Sequence, residues 1–474
     1  MIGDVRTPLD LRIPQHIHVV GVGGAGMSAV AAVLAAMGHD ITGSDLKASS
    51  MFQRLQGLGL SLTVGHDPAN VDGASALCVS SAIGAANVEV MEARRRGIPV
   101  FSRADVLASI AELRRTIAVA GTHGKTTTSS MLSLILIEAG MRPSFIIGGD
   151  LNDIGTNAVW DSGEWLVVEA DESDRTFLRL SPEIAVVTSI EPDHLETYGS
   201  FGALRQAFRA FMTNASVNVI SADDATALEM APPGAVTYGR SAAARYRMSS
   251  LQSARSSISF SLTDTVSRAD PAGGFSGEGE TDLGSFEVAV PGEYNARNAT
   301  AAIAVAVSVG VDPDDARRAL ARFGGVARRF EFRGERDGVT FVDDYAHLPS
   351  EVRAGLGAAR SGGYGRVVCV FQPHRYSRIA SLALDFASAF VDCDVLFVTD
   401  IYSAGEEARP GVTGRLIVDA VLASHPDADV TYAPTHEELL ARLRETLRAG
   451  DCCITLEAGD LTALPDEMLA GDRW

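Results

Sequence analysis

Cysteine is scarce. Cys78, Cys369, Cys393, Cys452 and Cys453 are the only five in 474 residues, and their spacing is not that of metal ligands. An odd count, mostly within apolar runs, argues against a disulfide framework and predicts reduced, buried thiols in a cytoplasmic protein. Basic charge is also in short supply. Forty Lys and Arg stand against sixty Asp and Glu, a net charge of −20. That balance argues against a general binder of nucleic acid or membrane surfaces. It leaves small anions open, because a local cluster can hold a phosphate inside an acidic protein. No apolar run approaches the roughly 20 residues that span a bilayer. The stretch "MIGDVRTPLDLRIPQH" has neither a basic n-region nor an apolar h-region, so no signal peptide is expected there. Aromatics make up 6% of the chain, so its cores must be built mainly from small aliphatic side chains.

What is present is strand–helix alternation on a length that exceeds one ordinary core. Three sections are expected, 1–113, 114–326 and 327–474. The first opens on the strand "HIHVVGVGG" and the second on "TIAVAGTHGK". Late in the second, "SISFSLT" and "SFEVAV" flank a Gly/Ser/Asp-rich loop and read as a hairpin. The third contains "FEFRGERDGVTFVDDYAH", then the short apolar runs "RVVCVFQ", "VLFVTD" and "CCITLEAG". Such alternation predicts α/β sections with parallel sheets covered on both faces. Ligands of such sheets gather beyond the carboxyl ends of the strands.

The residues at those ends carry chemistry. "GVGGAGMS" is a G-x-G-x-x-G, and Asp45 follows at the end of "HDITGSD". Gly21, Gly23, Gly24 and Gly26 let a diphosphate approach a helix N-terminus, and Asp45 can accept a ribose hydroxyl. Any nucleoside diphosphate meets that description, and so does a tight turn with no ligand. His66 and the pair Ser80–Ser81 follow two further strand-like runs. "TIAVAGTHGKTTTS" resembles a phosphate loop, but Val119 stands where the common G-x-x-x-x-G-K-[ST] has glycine. Lys125 offers a point charge, and Thr126 a hydroxyl for Mg²⁺. "EWLVVEADESD" ends a strand at Glu169, and "EIAVVTSIEPDH" is expected to place His194 three residues beyond its strand. Thr126, Glu169 and His194 suit Mg²⁺ or Mn²⁺ beside a triphosphate. Asn295 and Asn298 fall one turn apart on a helix face, where simple capping is the alternative. Arg375, in "FQPHRYSR", suits two-pronged capture of a carboxylate.

Together these stretches resemble the Mur ligase family, in its alanine-adding branch, over nearly the whole chain. The series "GVGGAGMS", "GSD", "SSAI", "GTHGKTTT", "EADESD", "EPDHLETY", "NARNATAAIAVA", "RRFEFRG", "DDYAH", "FQPHRYSR" and "TDIYSAGE" follows the family's order. The resemblance implies three domains: Rossmann-like, central P-loop ATPase-like with an added β-hairpin region, and a second Rossmann-like domain. It implies a cytoplasmic monomer or homodimer that makes peptidoglycan precursors, with no nucleic-acid partner and no membrane insertion. The implied reaction joins L-alanine to the lactyl carboxylate of UDP-N-acetylmuramate, with ATP and Mg²⁺ or Mn²⁺. Gly23, Gly24, Ala25, Gly26, Met27 and Ser28 would lie near the diphosphate, with Asp45, His66, Ser80 and Ser81 around the uridine. Gly121, Thr122, His123, Gly124, Lys125, Thr126 and Thr127 would cradle ATP. Asn295, Asn298, Arg329 and Asp344 would also border the nucleotide, and Tyr345, His374 and Arg375 the alanine. Lys125, Glu169 and His194 would be catalytic, with Thr126, Glu169 and His194 on the metal.

Three positions depart from the family pattern. Tyr294 and Leu348 stand where histidine is usual, and Glu457 where glycine is usual. Glu457 would put a carboxylate at a strand end that substrates approach. Other readings therefore stand beside the first: a family ligase for another amino acid or a recycled tripeptide, a non-catalytic UDP-sugar sensor, or an NAD-dependent oxidoreductase. The last would explain only the glycine fingerprint.

Overall fold

The structure, a computed structural model, describes residues 8–265 and 279–470. The described chain groups into two compact units. One holds the chain up to Ser249 with Leu262–Gly284 and Arg297–Leu320; the other holds Ser250–Ser261, Ser285–Ala296 and the chain from Ala321.

Three sheets carry the fold. The first has β1 (His16–Val20), β2 (Asp40–Asp45), β3 (Ser61–Val64), β4 (Ala76–Val79) and β5 (Val100–Ser102). They run parallel in the order β3-β2-β1-β4-β5, so the order reverses beside β1. The second comprises β6 (Arg115–Ala120), β7 (Ser144–Leu151), β8 (Thr156–Val159), β9 (Trp165–Glu169), β10 (Ile184–Val187), β11 (Val217–Ser221), β12 (Val236–Gly239), β13 (Tyr246–Ser253), β14 (Ile258–Asp264) and β15 (Thr281–Val288). Their order is β15-β14-β13-β12-β11-β10-β6-β9-β7-β8, with β7–β8 antiparallel. The third has β16 (Glu331–Arg336), β17 (Val339–Asp344), β18 (Arg366–Phe371), β19 (Val395–Val398), β20 (Val430–Tyr432) and β21 (Asp451–Leu456), ordered β16-β17-β21-β18-β19-β20. Only β16 is shown antiparallel to its neighbour there.

The central strands read as apolar runs because both of their faces are buried, whereas the edge strand β3 is mostly exposed. β10 and β19 are buried at every position. The helix Lys125–Glu138 is buried from Thr126 through Leu136. Its small and apolar residues all round the axis are what a helix inside a packed layer requires. The four-residue gap between β13 and β14 and the pairing of β14 with β15 match the expected hairpin region, with β13 as an extra strand. The Gly-rich loop of that reading lies largely at 266–278, outside the described residues, as do the first seven residues of the "MIGDVRTPLDLRIPQH" stretch. Cys78, Cys369, Cys452 and Cys453 are buried in strands, and burial pushes the Cys78 thiol up to about 12. Among the described residues, no helix is long and apolar enough to cross a membrane.

Candidate active site

The second sheet reverses its order beside β6, the first of its strands in sequence, so β6 lies between β10 and β9. Three adjacent strands therefore end together at one edge. The phosphate loop follows β6, Glu169 is the last residue of β9, and His194 lies on the segment after β10. The strand stops at Val187 rather than three residues before His194, because Thr188–Glu191 turn to bind the loop. Thr122 N–H donates to Ser189 O (3.0 Å), His123 N–H to Ser189 Oγ (3.0 Å), and Glu191 N–H to Thr122 Oγ1 (2.9 Å).

The missing glycine at Val119 is explained. That residue is fully buried inside β6, where a side chain is needed. The positions that require glycine are two and five residues on. Gly121 has φ +137° and a Cβ there would overlap Thr188 Oγ1; Gly124 has φ +78° and a Cβ there would overlap Asn298 Oδ1. Gly124 then starts the helix Lys125–Glu138 with no side-chain cap. Asn298 also accepts from Thr128 Oγ1 at 3.3 Å, so it packs on the phosphate loop. Asn295 instead donates to Pro291 O at 2.7 Å.

Lys125 Nζ donates to Gly121 O (2.7 Å) and to both carboxylate oxygens of Glu172 (2.9 and 2.8 Å). Burial lowers its proton affinity, but Glu172, Asp171 and Glu169 outweigh that and raise its pKa, so it stays charged. Glu172 belongs to the quoted "EADESD", yet sequence reasoning passed over it; four acidic residues in six give no sign of which one turns inward. Glu169 accepts the Gly148 N–H at 2.7 Å. His194 has a left-handed backbone (φ 52°), with Nε2 3.2 Å from Asp193 and Nδ1 3.7 Å from Glu196. Strain of that kind concentrates at functional positions. Among the described residues, no three His, Cys, Asp or Glu form a metal-holding group.

At the first sheet, the helix Ala25–Ala36 starts after Gly24 without a side-chain cap, which suits an anion. Met27 and Ser28 are buried, and Ser28 already donates its N–H to Gly24 O (2.9 Å) and its hydroxyl to Ala25 O (2.9 Å). Asp45 Oδ2 accepts the Gly23 N–H (2.9 Å), tying β2 to the glycine turn. His66 Nδ1 lies 2.9 Å from Glu89 and 3.1 Å from Ser44 Oγ. Ser80 Oγ accepts the Ala82 N–H at 3.3 Å, and Ser81 is exposed.

At the third sheet the ring contacts run Tyr345–His347 (5.4 Å), His347–His374 (5.6 Å) and His374–Tyr402 (5.9 Å). Arg328 and Arg329 lie 4.8 and 5.1 Å from the Tyr345 ring. Arg375 has φ 70° and donates its N–H to Tyr402 O at 2.9 Å. Arg378, not singled out from sequence, bonds His374 Nδ1 at 2.8 Å and is buried. The i, i+3 spacing of the two arginines in "HRYSR" was the available signal. A cavity of about 480 Å³ opens beside them, lined by Gln372, Tyr376, Asp400, Tyr402 and Asp460 among others. A cavity of about 820 Å³ at the opposite edge of the second sheet is remote from this chemistry; Arg115 there is tied to Glu183 and Glu164.

The three departures resolve inward. Leu348 is buried at the start of the helix Pro349–Ser361, where Glu351 accepts its N–H. Tyr294 packs against the apolar core of the third section. Glu457, expected at the substrate edge, is fully buried, pairs with Arg328 and accepts the Gly459 N–H at 2.6 Å. Burial raises Glu457 and Asp344 to about 7 and Asp343 to about 6, against the pull of nearby arginines. Their ordinary values are near 4. Between those limits the folded protein binds more protons than the unfolded chain, so stability falls as pH rises. Thermal melts between about pH 5 and 8 should show a falling Tm, and Glu457→Gln should flatten the slope. An unchanged slope would remove Glu457 from this account.

Comparison with known proteins bears on the fold and the family. Three family models match in order: "Mur ligase family, catalytic domain" over 16–115, "Mur ligase middle domain" over 119–306, and "Mur ligase, glutamate ligase domain" over 328–459. The UDP-N-acetylmuramate–L-alanine ligase of Anaeromyxobacter dehalogenans is 45% identical over 461 residues, 96% of this chain and 97% of that one. The enzyme of the same name from Rhizobium meliloti is 42% identical over 98% and 100%. The crystal structure of UDP-N-acetylmuramate-alanine ligase from Thermotoga maritima superposes with a TM-score of 0.77 at 27% identity, covering 96% and 98%. A murein peptide ligase from Psychrobacter arcticus shares the fold, with a TM-score of 0.65 at 21% identity. With its three α/β domains in family order and a short phosphate loop closed by glycines at 121 and 124, this chain belongs to the Mur ligase family.

Proposed function

We propose that this chain is a cytoplasmic ligase that joins L-alanine to the lactyl carboxylate of UDP-N-acetylmuramate, converting ATP to ADP and phosphate. The observation that carries the reading is the convergence of β9, β6 and β10 on one edge, bringing Glu169, Lys125–Thr126 and the His194 segment together. The near-full-length identity to alanine ligases supports the choice of amino acid and acceptor. The domain limits we assign are 1–113, 114–326 and 327–474.

A carboxylate does not react with an amine in water, because its oxygen is a poor leaving group. In this mechanism the muramate carboxylate attacks the γ-phosphorus of ATP and ADP leaves, giving an acyl phosphate. The neutral amine of alanine then attacks the acyl carbon, a proton is lost, and phosphate departs. Lys125 balances charge on the transferring group. The glycine turn and helix start at 23–28 hold the UDP-sugar diphosphate, with Asp45 and His66 toward the nucleoside. Arg375, backed by Arg378 and His374, receives the alanine carboxylate.

Thr126, Glu169 and His194 would hold a divalent cation. A hydroxyl, a carboxylate and an imidazole are a donor set that suits Mg²⁺ or Mn²⁺. When bound, such an ion neutralises phosphate charge and orients the γ-phosphoryl group.

The test is phosphate release from ATP. Release should require both UDP-N-acetylmuramate and L-alanine, and a tripeptide offered in place of alanine should not support it. EDTA should abolish it and excess Mg²⁺ restore it. Release driven by tripeptide would move the chain to the recycling branch. Hydride transfer without phosphate release would refute the ligase reading.

A further inference from the structure

The ammonium of Lys125 has three protons. Gly121 O and the two oxygens of Glu172 take all three, at 2.7, 2.9 and 2.8 Å. The pair is nearly dry: the Glu172 side chain is 2% exposed and that of Lys125 14%. A phosphate therefore reaches Lys125 only by exchange with one of these partners.

Glu172 itself is fixed. Its carbonyl accepts from Tyr198 Oη at 2.5 Å and from the Arg175 N–H at 3.1 Å. On either side, Asp171 accepts the Ser173 N–H at 2.9 Å and Asp174 pairs with Arg103 at 2.7 Å. The loop is pinned at both ends, so the exchange falls to the lysine side chain. The Gly121 carbonyl belongs to the phosphate loop and can stay bonded while the ammonium turns. The partner that must be given up is the carboxylate.

We propose that Glu172 is a positioning residue that holds Lys125 retracted until the phosphates of a nucleotide displace it. The pair acts as a gate on the phosphate loop. Without nucleotide, Glu172 keeps the buried ammonium paired. With nucleotide, a second anion competes for the same ammonium, and the broken pair is a cost subtracted from binding. This inference rests on the phosphate-loop reading of Gly121–Thr126, and its test separates the two.

The experiment is calorimetry with the Mg²⁺ complex of the β,γ-imido analogue of ATP, without UDP-sugar or alanine. Glu172→Gln removes the competing charge at constant shape, and should tighten binding about three- to tenfold while lowering kcat through a mispositioned lysine. Glu172→Asp keeps the charge but withdraws it by one methylene, and should tighten binding about twofold; it serves where the Gln variant melts early. Simple relief of repulsion between Glu172 and phosphate would persist without the lysine. In a Lys125→Met background the gate is gone, so adding Glu172→Gln should shift affinity less than twofold. Unchanged or weaker binding by both Glu172 variants overturns the gate, as does a full effect in the Lys125→Met background. A wild-type protein that binds no analogue overturns the phosphate-loop reading instead.

Discussion

Lys125→Ala is expected to abolish phosphate release, by on the order of 10³-fold, the scale for losing a group aimed at developing transition-state charge. The same change has a second consequence that a surface lysine would not have. Glu172, 2% exposed and bonded through both oxygens to Lys125, is left as a buried carboxylate without its cation. Breaking a buried pair costs about 3–5 kcal/mol, reduced to the extent that the carboxyl takes up a proton. Lys125→Ala should therefore melt several degrees lower as well as losing activity. Adding Glu172→Gln should return much of the lost Tm and none of the turnover. UDP-sugar affinity should stay within about twofold in both variants, because its glycine turn follows β1 whereas Lys125 follows β6. Melting curves, calorimetry and phosphate release on the three proteins check this. Recovery of turnover in the double variant would mean that Lys125 serves only to neutralise Glu172.

Arg375→Lys is expected to weaken the use of alanine by about 1.5–3 kcal/mol, the range for hydrogen bonds to charged groups. The amino acid must present its amine and keep its carboxylate away from the acyl phosphate. A guanidinium fork gripping the carboxylate does both, whereas lysine keeps the charge and loses the fork. The backbone supports a dedicated role. Arg375 holds φ 70°, a region costly for a residue with a Cβ, and its N–H is anchored to Tyr402 O. Next to it His374 is buried and braced by Arg378. The loss should appear as a raised KM for alanine, with far smaller changes for ATP and UDP-sugar. Steady-state kinetics with each substrate varied in turn distinguishes the outcomes. A defect confined to ATP would move Arg375 to the nucleotide and break the alanine assignment.

The α/β class, the strands with polar residues at their ends and the glycine-turned loop before Lys125 were all legible in the sequence. These are local properties: apolar runs of strand length, glycines where backbone must turn, and a lysine and threonine opening a helix. They also sufficed to reveal the family, since eleven short motifs in order leave little room for another fold. Strand order was not legible, because pairing joins residues far apart in the chain. Only the tertiary structure put β6 between β9 and β10, and so made neighbours of Glu169, Lys125 and the His194 segment. Inward and outward also belonged to the third dimension. In "EADESD" the four acids look alike, yet Glu172 is buried on the phosphate-loop lysine while Asp174 pairs with Arg103. Glu457 looked like a carboxylate offered to substrate and is instead buried on Arg328. A side chain's charge is written in the sequence, but its partner is set by which strand folds beside it. In a dry interior the partner decides whether that charge binds a ligand or holds the protein together.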